Sequence, residues 1–155
     1  MGNRRFHSEF LMAKRFACLL VVGLLMGADQ PSDAAKKDLE KLQGEWKVEK
    51  AQRGGEAAPA ELLGKLSLTI KGDSMTVSEG SARDEKATIS LDPGKSPAAI
   101  DIKPARPGRE TVLGIYKLNG DSLTLCWSKE GARPTEFASK PKSDQVLFVL
   151  KRAKK

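Results

Sequence analysis

The sequence predicts a small antiparallel β-barrel of eight strands with a short helix at its N-terminal end. Three observations lead there. Between residues 45 and 152 the chain carries eight short segments, most of which alternate apolar and polar side chains, the period of a strand with one buried face. Turns and loops rich in Gly, Pro and polar residues separate them. Helical periodicity is confined to the start, so no crossover helices exist to join parallel strands. Consecutive antiparallel strands form an up-and-down meander, and eight of them can close and remove the exposed edges of an open sheet. A two-sheet β-sandwich is the alternative arrangement of the same strands.

The elements follow in order. "AAKKDLEKLQ" (34–43) reads as a short helix with Leu39 and Leu42 on one side and Gly44 as its stop. "EWKVEKAQR" (45–53) sets Trp46 and Val48 against charged neighbours, and Gly54-Gly55 turns the chain. "APAELLGK" (58–65) is one or two helical turns, with Pro59 near the start and Gly64 near the end. "LSLTIK" (66–71) and "SMTVS" (74–78) flank the turn Gly72-Asp73, and "EGSARDE" (79–85) is a polar loop. "KATISLD" (86–92) and "AAIDIK" (98–103) follow, separated by "PGKSP". After "PARPGRE", residues 113–127, "LGIYKLNGDSLTLCW", form a hairpin about Asn119-Gly120. Its two-residue and four-residue registers both put Tyr116 and Leu118 on one face with Leu123, Leu125 and Trp127, and Cys126 on the other as a semi-buried wall residue. A three-residue loop would instead pair Ile115 with Leu123, and the first arrangement is preferred because it gathers the large apolar groups on one side. "EGARPTEFASKPKS" is the longest irregular segment, and "QVLFVLKR" (145–152) closes the chain. The expected inward residues are Trp46, Val48, Leu68, Ile70, Val77, Ile89, Ile100, Tyr116, Leu125, Trp127 and Phe148.

Ahead of this domain, Arg4, Arg5, Lys14 and Arg15 precede the uncharged apolar run "ACLLVVGLLMGA" (17–28), and polar residues follow. A basic lead, a short apolar run and small residues read as a signal peptide over 1–28, with cleavage after Ala28 favoured over Ala34 or Ala35. The run is shorter than the ~20 residues that cross a bilayer. Residues 29–35 then read as a linker and 36–155 as one domain. The expected destination is periplasmic or extracellular; an uncleaved N-terminal anchor is the alternative. Residues 1–28 hold four Lys/Arg and one Glu, so removing them from 27 basic and 20 acidic residues leaves 23 and 19, net +4. These charges are dispersed and not interleaved with aromatics, which speaks against nucleic acid as a partner.

The composition also excludes chemistries. The only histidine, His7, and one of the two cysteines, Cys18, lie in the signal region. The processed chain therefore has one thiol, Cys126, no intrachain disulfide and no Cys/His zinc set. Histidine-activated nucleophiles are excluded, and no glycine-rich phosphate loop occurs. Carboxylates such as Glu49, Asp101 and Glu136 remain for acid–base work. Their alternation with apolar residues reads as a wet face, so the expectation is a non-catalytic protein with no cofactor. "RPTEF" (133–137) reads as a loop anchored by Phe137 and an Arg133–Glu136 pair, or as a lid over a barrel mouth.

Gly44-Glu45-Trp46, straight after a short helix, resembles the G-x-W signature of the lipocalin and calycin barrels. That resemblance implies that Gly44, Trp46 and Arg152 close one barrel end, with a cation from the last strand over the indole. "LQGEWKVEKAQRGGE", "LDPGKSPAAIDI", "LGIYKLNGDSLTLCW" and "RPTEFASK", in that order, resemble a family of small exported lipocalin-like domains found mainly in Planctomycetes. The likeness spans nearly the whole processed chain and implies a fold and a compartment, but no activity. A barrel of this size either fills with its own side chains or holds one small ligand. Trp46, Tyr116, Trp127 and Phe137 are the candidate ligand contacts, for a small apolar molecule. A filled-core module that binds envelope proteins is the alternative, and a monomer is expected.

Overall fold

In the computed structural model, which describes residues 30–81, 83–129 and 131–154, nine strands and two short helices follow one another. They are α1 (Asp33–Leu42), β1 (Gly44–Arg53), β2 (Glu56–Ala57), α2 (Ala60–Leu63), β3 (Leu66–Lys71), β4 (Ser74–Glu79), β5 (Arg83–Asp92), β6 (Ala99–Pro104), β7 (Val112–Asn119), β8 (Ser122–Ser128) and β9 (Gln145–Arg152). The expected signal peptide, 1–28, lies outside the described residues. Helix α1 begins inside the stretch read as linker, because the Ser32 hydroxyl accepts the Ala35 N–H at 3.1 Å and caps it.

The strands run in the order β2-β1-β3-β4-β5-β6-β7-β8-β9, and β1 also pairs with β9. All the pairings are antiparallel, so eight strands close into an up-and-down barrel of lipocalin-like form, and a sandwich is set aside. β1 makes the closure by serving two neighbours. Gly44–Lys47 pair with β3, while the strand from Trp46 to Arg53 pairs with β9. The register shifts between Val48 and Lys50, a bulge that bends β1 between its partners.

Two stretches fold differently from their expectation. Gly54 and Gly55 take φ of 56° and 85°, the left-handed pair of a tight hairpin, and so Glu56–Ala57 return as the extra strand β2. The polar segment 79–85 is only partly loop. Glu79 pairs with Arg83 and Val77 with Glu85, so β5 starts at Arg83, three residues before the expected start at Lys86. The backbone ladder, which is indifferent to side-chain polarity, sets that boundary.

The β7–β8 hairpin pairs Leu118 with Leu123, Tyr116 with Leu125 and Gly114 with Trp127. The large apolar groups therefore share the inner face, and Cys126 lies opposite Ile115 on the outer one. All eleven expected inward residues belong to, or pack against, one core cluster that fills the barrel's middle. Gly114 is required where β7 lies beside Trp127 of β8. A Cβ there would stand 2.9 Å from the Cys126 carbonyl oxygen and 3.1 Å from the Trp127 Cβ. Because a backbone atom is in the way, Gly114→Ala is expected to cost about 1–3 kcal/mol in denaturant unfolding; a neutral result would contradict this packing.

On the outer wall, the segment 131–144 forms a strap that touches β6, β7, β8 and β9. Arg133 donates from Nη1 to the Ile100 and Gly114 carbonyls at 3.1 and 2.5 Å, and from Nη2 to Asp101 at 2.6 Å. Phe137 packs on Ile115, Cys126 and Leu147. Under this cover Cys126 is fully buried rather than semi-buried, and its thiol donates to the Ala138 carbonyl at 3.4 Å. Burial pushes the Cys126 thiol above its ordinary pKa, which disfavours the thiolate.

Candidate functional site

The two barrel ends differ. At the closed end, Gly44 leaves α1 with φ of 110°, and Trp46 enters the barrel with no exposure. Its Nε1–H donates to the Leu42 carbonyl at 2.9 Å, and the Arg152 guanidinium lies 4.3 Å from its ring centroid. Arg152 also donates to the Gln43 and Lys41 carbonyls at 2.8 and 2.7 Å and to Asp121 at 3.1 Å. One cation thus covers the indole and satisfies carbonyls at the helix C-terminus, the negative end of its dipole. On the far side, Gln43 bonds both the N–H and the carbonyl of Gly72, tying α1 to the β3–β4 turn.

Tyr116 bonds the helix from inside the barrel, its hydroxyl donating to Asp38 at 2.8 Å. Burial first, then the hydrogen bond and negative charge of Asp38, push this hydroxyl well above the ordinary tyrosine range. Its neutral form is therefore favoured in the folded state. The resulting stability is complete below about pH 10, where an unfolded tyrosine titrates, and is lost as pH rises above it. Because Tyr116 is the chain's only tyrosine, the comparison is clean. Wild type is expected to lose more stability than Tyr116→Phe between neutral pH and pH about 11; parallel curves would disprove the coupling.

The other end is open. Its hollow of about 690 Å³ has an apolar floor of Leu66, Val77, Trp127, Val146 and Phe148, with Ala58 and Leu62 at the side. The Trp127 and Phe148 rings meet edge to face with centroids 4.8 Å apart. Trp127 is only half-buried and so shows part of its surface to the hollow. Six charged residues stand around the floor: Arg53, Glu56, Glu79, Arg83, Glu85 and Lys129. Sequence reading missed this rim because Glu79, Arg83 and Glu85 fall in the segment read as loop. The signal was available in the parity of β4: if Val77 points inward, so does Glu79.

The four candidate ligand contacts do not converge. Trp46 is sealed at the closed end, and Trp127 alone lines the mouth. Both face inward, but the meander sets them at opposite ends of the barrel. Tyr116 and Phe137 border a second hollow of about 760 Å³ beside the closed end, with Asp38, Lys41, Pro97 and Arg152. Its charged groups are largely engaged, since Asp38 holds both Tyr116 and Lys41, and Arg152 is bound as described.

The three carboxylates considered for catalysis stand apart in the fold. Glu49 is exposed at the β1 bulge, Asp101 on β6 is bound by Arg133 at 2.6 Å, and Glu136 in the strap is bound by Lys140 at 2.5 Å. Arg133 therefore anchors to Asp101 rather than to Glu136, because the strap lies along β6 and β7 and carries its guanidinium onto that wall. Among the described residues no cluster of three or more His, Cys, Asp or Glu is placed to hold a metal ion, and no helix is long and apolar enough to cross a membrane. Comparisons of the chain with protein-family models, with curated proteins and with solved structures find no match.

Proposed function

We propose that the protein is an exported, non-catalytic domain of the small lipocalin-like kind that holds a small molecule in its barrel mouth. The observation that carries this reading is the half-buried Trp127, braced by Phe148, on the floor of a hollow of about 690 Å³. That volume lies within the roughly 300–1,000 Å³ of small-molecule sites, and a concave apolar floor with polar groups above it is their usual composition. Native mass spectrometry of the protein purified from its own host is expected to show a retained small molecule, which Trp127→Ala loses. A bare wild-type mass, with no added probe altering Trp127 fluorescence, overturns the reading.

A second reading, an interaction module of the cell envelope, draws on the outer wall. Lys47 stands directly opposite Lys151 across β1 and β9, and neither forms an ion pair among the described residues. Two like charges facing each other destabilise the ladder slightly unless an anionic partner covers them. Cross-linking from these lysines to an envelope protein in cells, lost in Lys47→Gln, distinguishes this reading from the first.

A further inference from the structure

We propose that the molecule held in the mouth is a short, neutral saccharide. This deepens the reading of the mouth as a binding site and rests on it. Six charged side chains make up the rim of the mouth. Its charges alternate in sign at close range. Arg53 and Glu56 are register partners across β1 and β2, and Glu79 and Arg83 are register partners across β4 and β5. Glu85 follows on β5 opposite Val77, and Lys129 lies beyond the end of β8. Among the described residues, no ion pair joins any of the six to another. Guanidinium donors and carboxylate acceptors therefore stand side by side with their hydrogen-bonding capacity available.

Three ligand classes meet this rim differently. A wholly apolar molecule would draw charged groups out of water and give them no partners, which is unfavourable. A ligand with a net charge would find each attractive group beside a repulsive one, three cations against three carboxylates, and exposed ion pairs contribute little. A vicinal diol suits the pattern. Each hydroxyl both donates and accepts, so neighbouring hydroxyls can engage a carboxylate and a guanidinium at once. The floor supplies the other half of the match. The half-buried Trp127 lines the hollow and supplies aromatic surface there, and a sugar ring presents an apolar C–H face below its hydroxyls that can pack on such a ring. The edge-to-face contact with Phe148 holds the indole in place.

Fluorescence and amide NMR test this on the full chain, with cellobiose, maltose and N,N′-diacetylchitobiose as saccharide probes. Dodecanoate and dodecylphosphocholine serve as charged and zwitterionic amphiphile probes. The chain's other tryptophan, Trp46, is sealed at the closed end, so fluorescence changes report Trp127. At least one disaccharide is expected to shift the amides of Val77, Arg83 and Trp127, with an affinity insensitive to added salt. Trp127→Ala is expected to weaken it about tenfold. Glu79→Gln, on the exposed rim and away from the core, is expected to weaken it about threefold without altering stability. If an amphiphile moves these amides and no saccharide does, the saccharide assignment fails and the mouth stands as a site. If no probe moves them, both readings fail. Saccharide binding of unchanged affinity in Trp127→Ala and Glu79→Gln also overturns the assignment.

Discussion

Trp46→Ala is expected to remove about 3–5 kcal/mol of stability, the largest loss from any single substitution considered. Trp46 is wholly buried at the closed end, so its removal leaves a cavity that α1 and Arg152 cannot fill without leaving their own partners. The Leu42 carbonyl loses a buried donor, and Arg152 loses the ring beneath it. Against a total of about 5–15 kcal/mol for an ordinary domain, that loss brings the variant close to unfolding. Guanidinium or urea titration followed by circular dichroism measures it. A loss below about 1 kcal/mol would mean that the tryptophan does not close the barrel.

The second large effect belongs to Arg152. Arg152→Ala is expected to cost about 2–3 kcal/mol, from the cation–π contact and the charge-assisted hydrogen bonds to the Lys41 and Gln43 carbonyls. Its hydrogen bond to Asp121 is largely exposed and adds little. Arg152→Lys is expected to recover less than half, because an ammonium cannot stack as a plane on the indole while reaching two carbonyls in a fork. Equal stability for Lys and Arg would show that charge alone matters at this position.

Much of the barrel is legible from alternation. Leu66, Leu68 and Ile70, or Leu123, Leu125 and Trp127, announce both a strand and its inner face, because a half-buried strand must repeat with period two. The closed end is legible only through a resemblance: Gly44-Glu45-Trp46 is similar to the G-x-W signature, which implies a cation from the last strand over the indole. What alternation does not carry is contact between distant segments. Cys126 is fully buried because the strap crosses it, and nothing local to β8 announces a loop from later in the chain. Arg133 meets Asp101, 32 residues earlier, instead of Glu136 three residues on. The mouth was obscured for the opposite reason. Arg83 and Glu85 are charged, and charge reads as loop until the register of their partners is known.

The pairing of β1 with β9 has a consequence for how the molecule comes into being. Trp46 lies opposite Arg152, so the two strands that close the barrel come from opposite ends of the domain's chain. The intervening hairpins can form from neighbours as synthesis proceeds, but closure has to bring together the most distant segments, with the largest loss of chain freedom. Until residues 145–152 exist, β1 and β8 are both open edges and the indole of Trp46 has no lid. The domain therefore reaches its native state only after its final strand has been made, and loss of those eight residues would leave an open, adhesive sheet rather than a slightly smaller barrel.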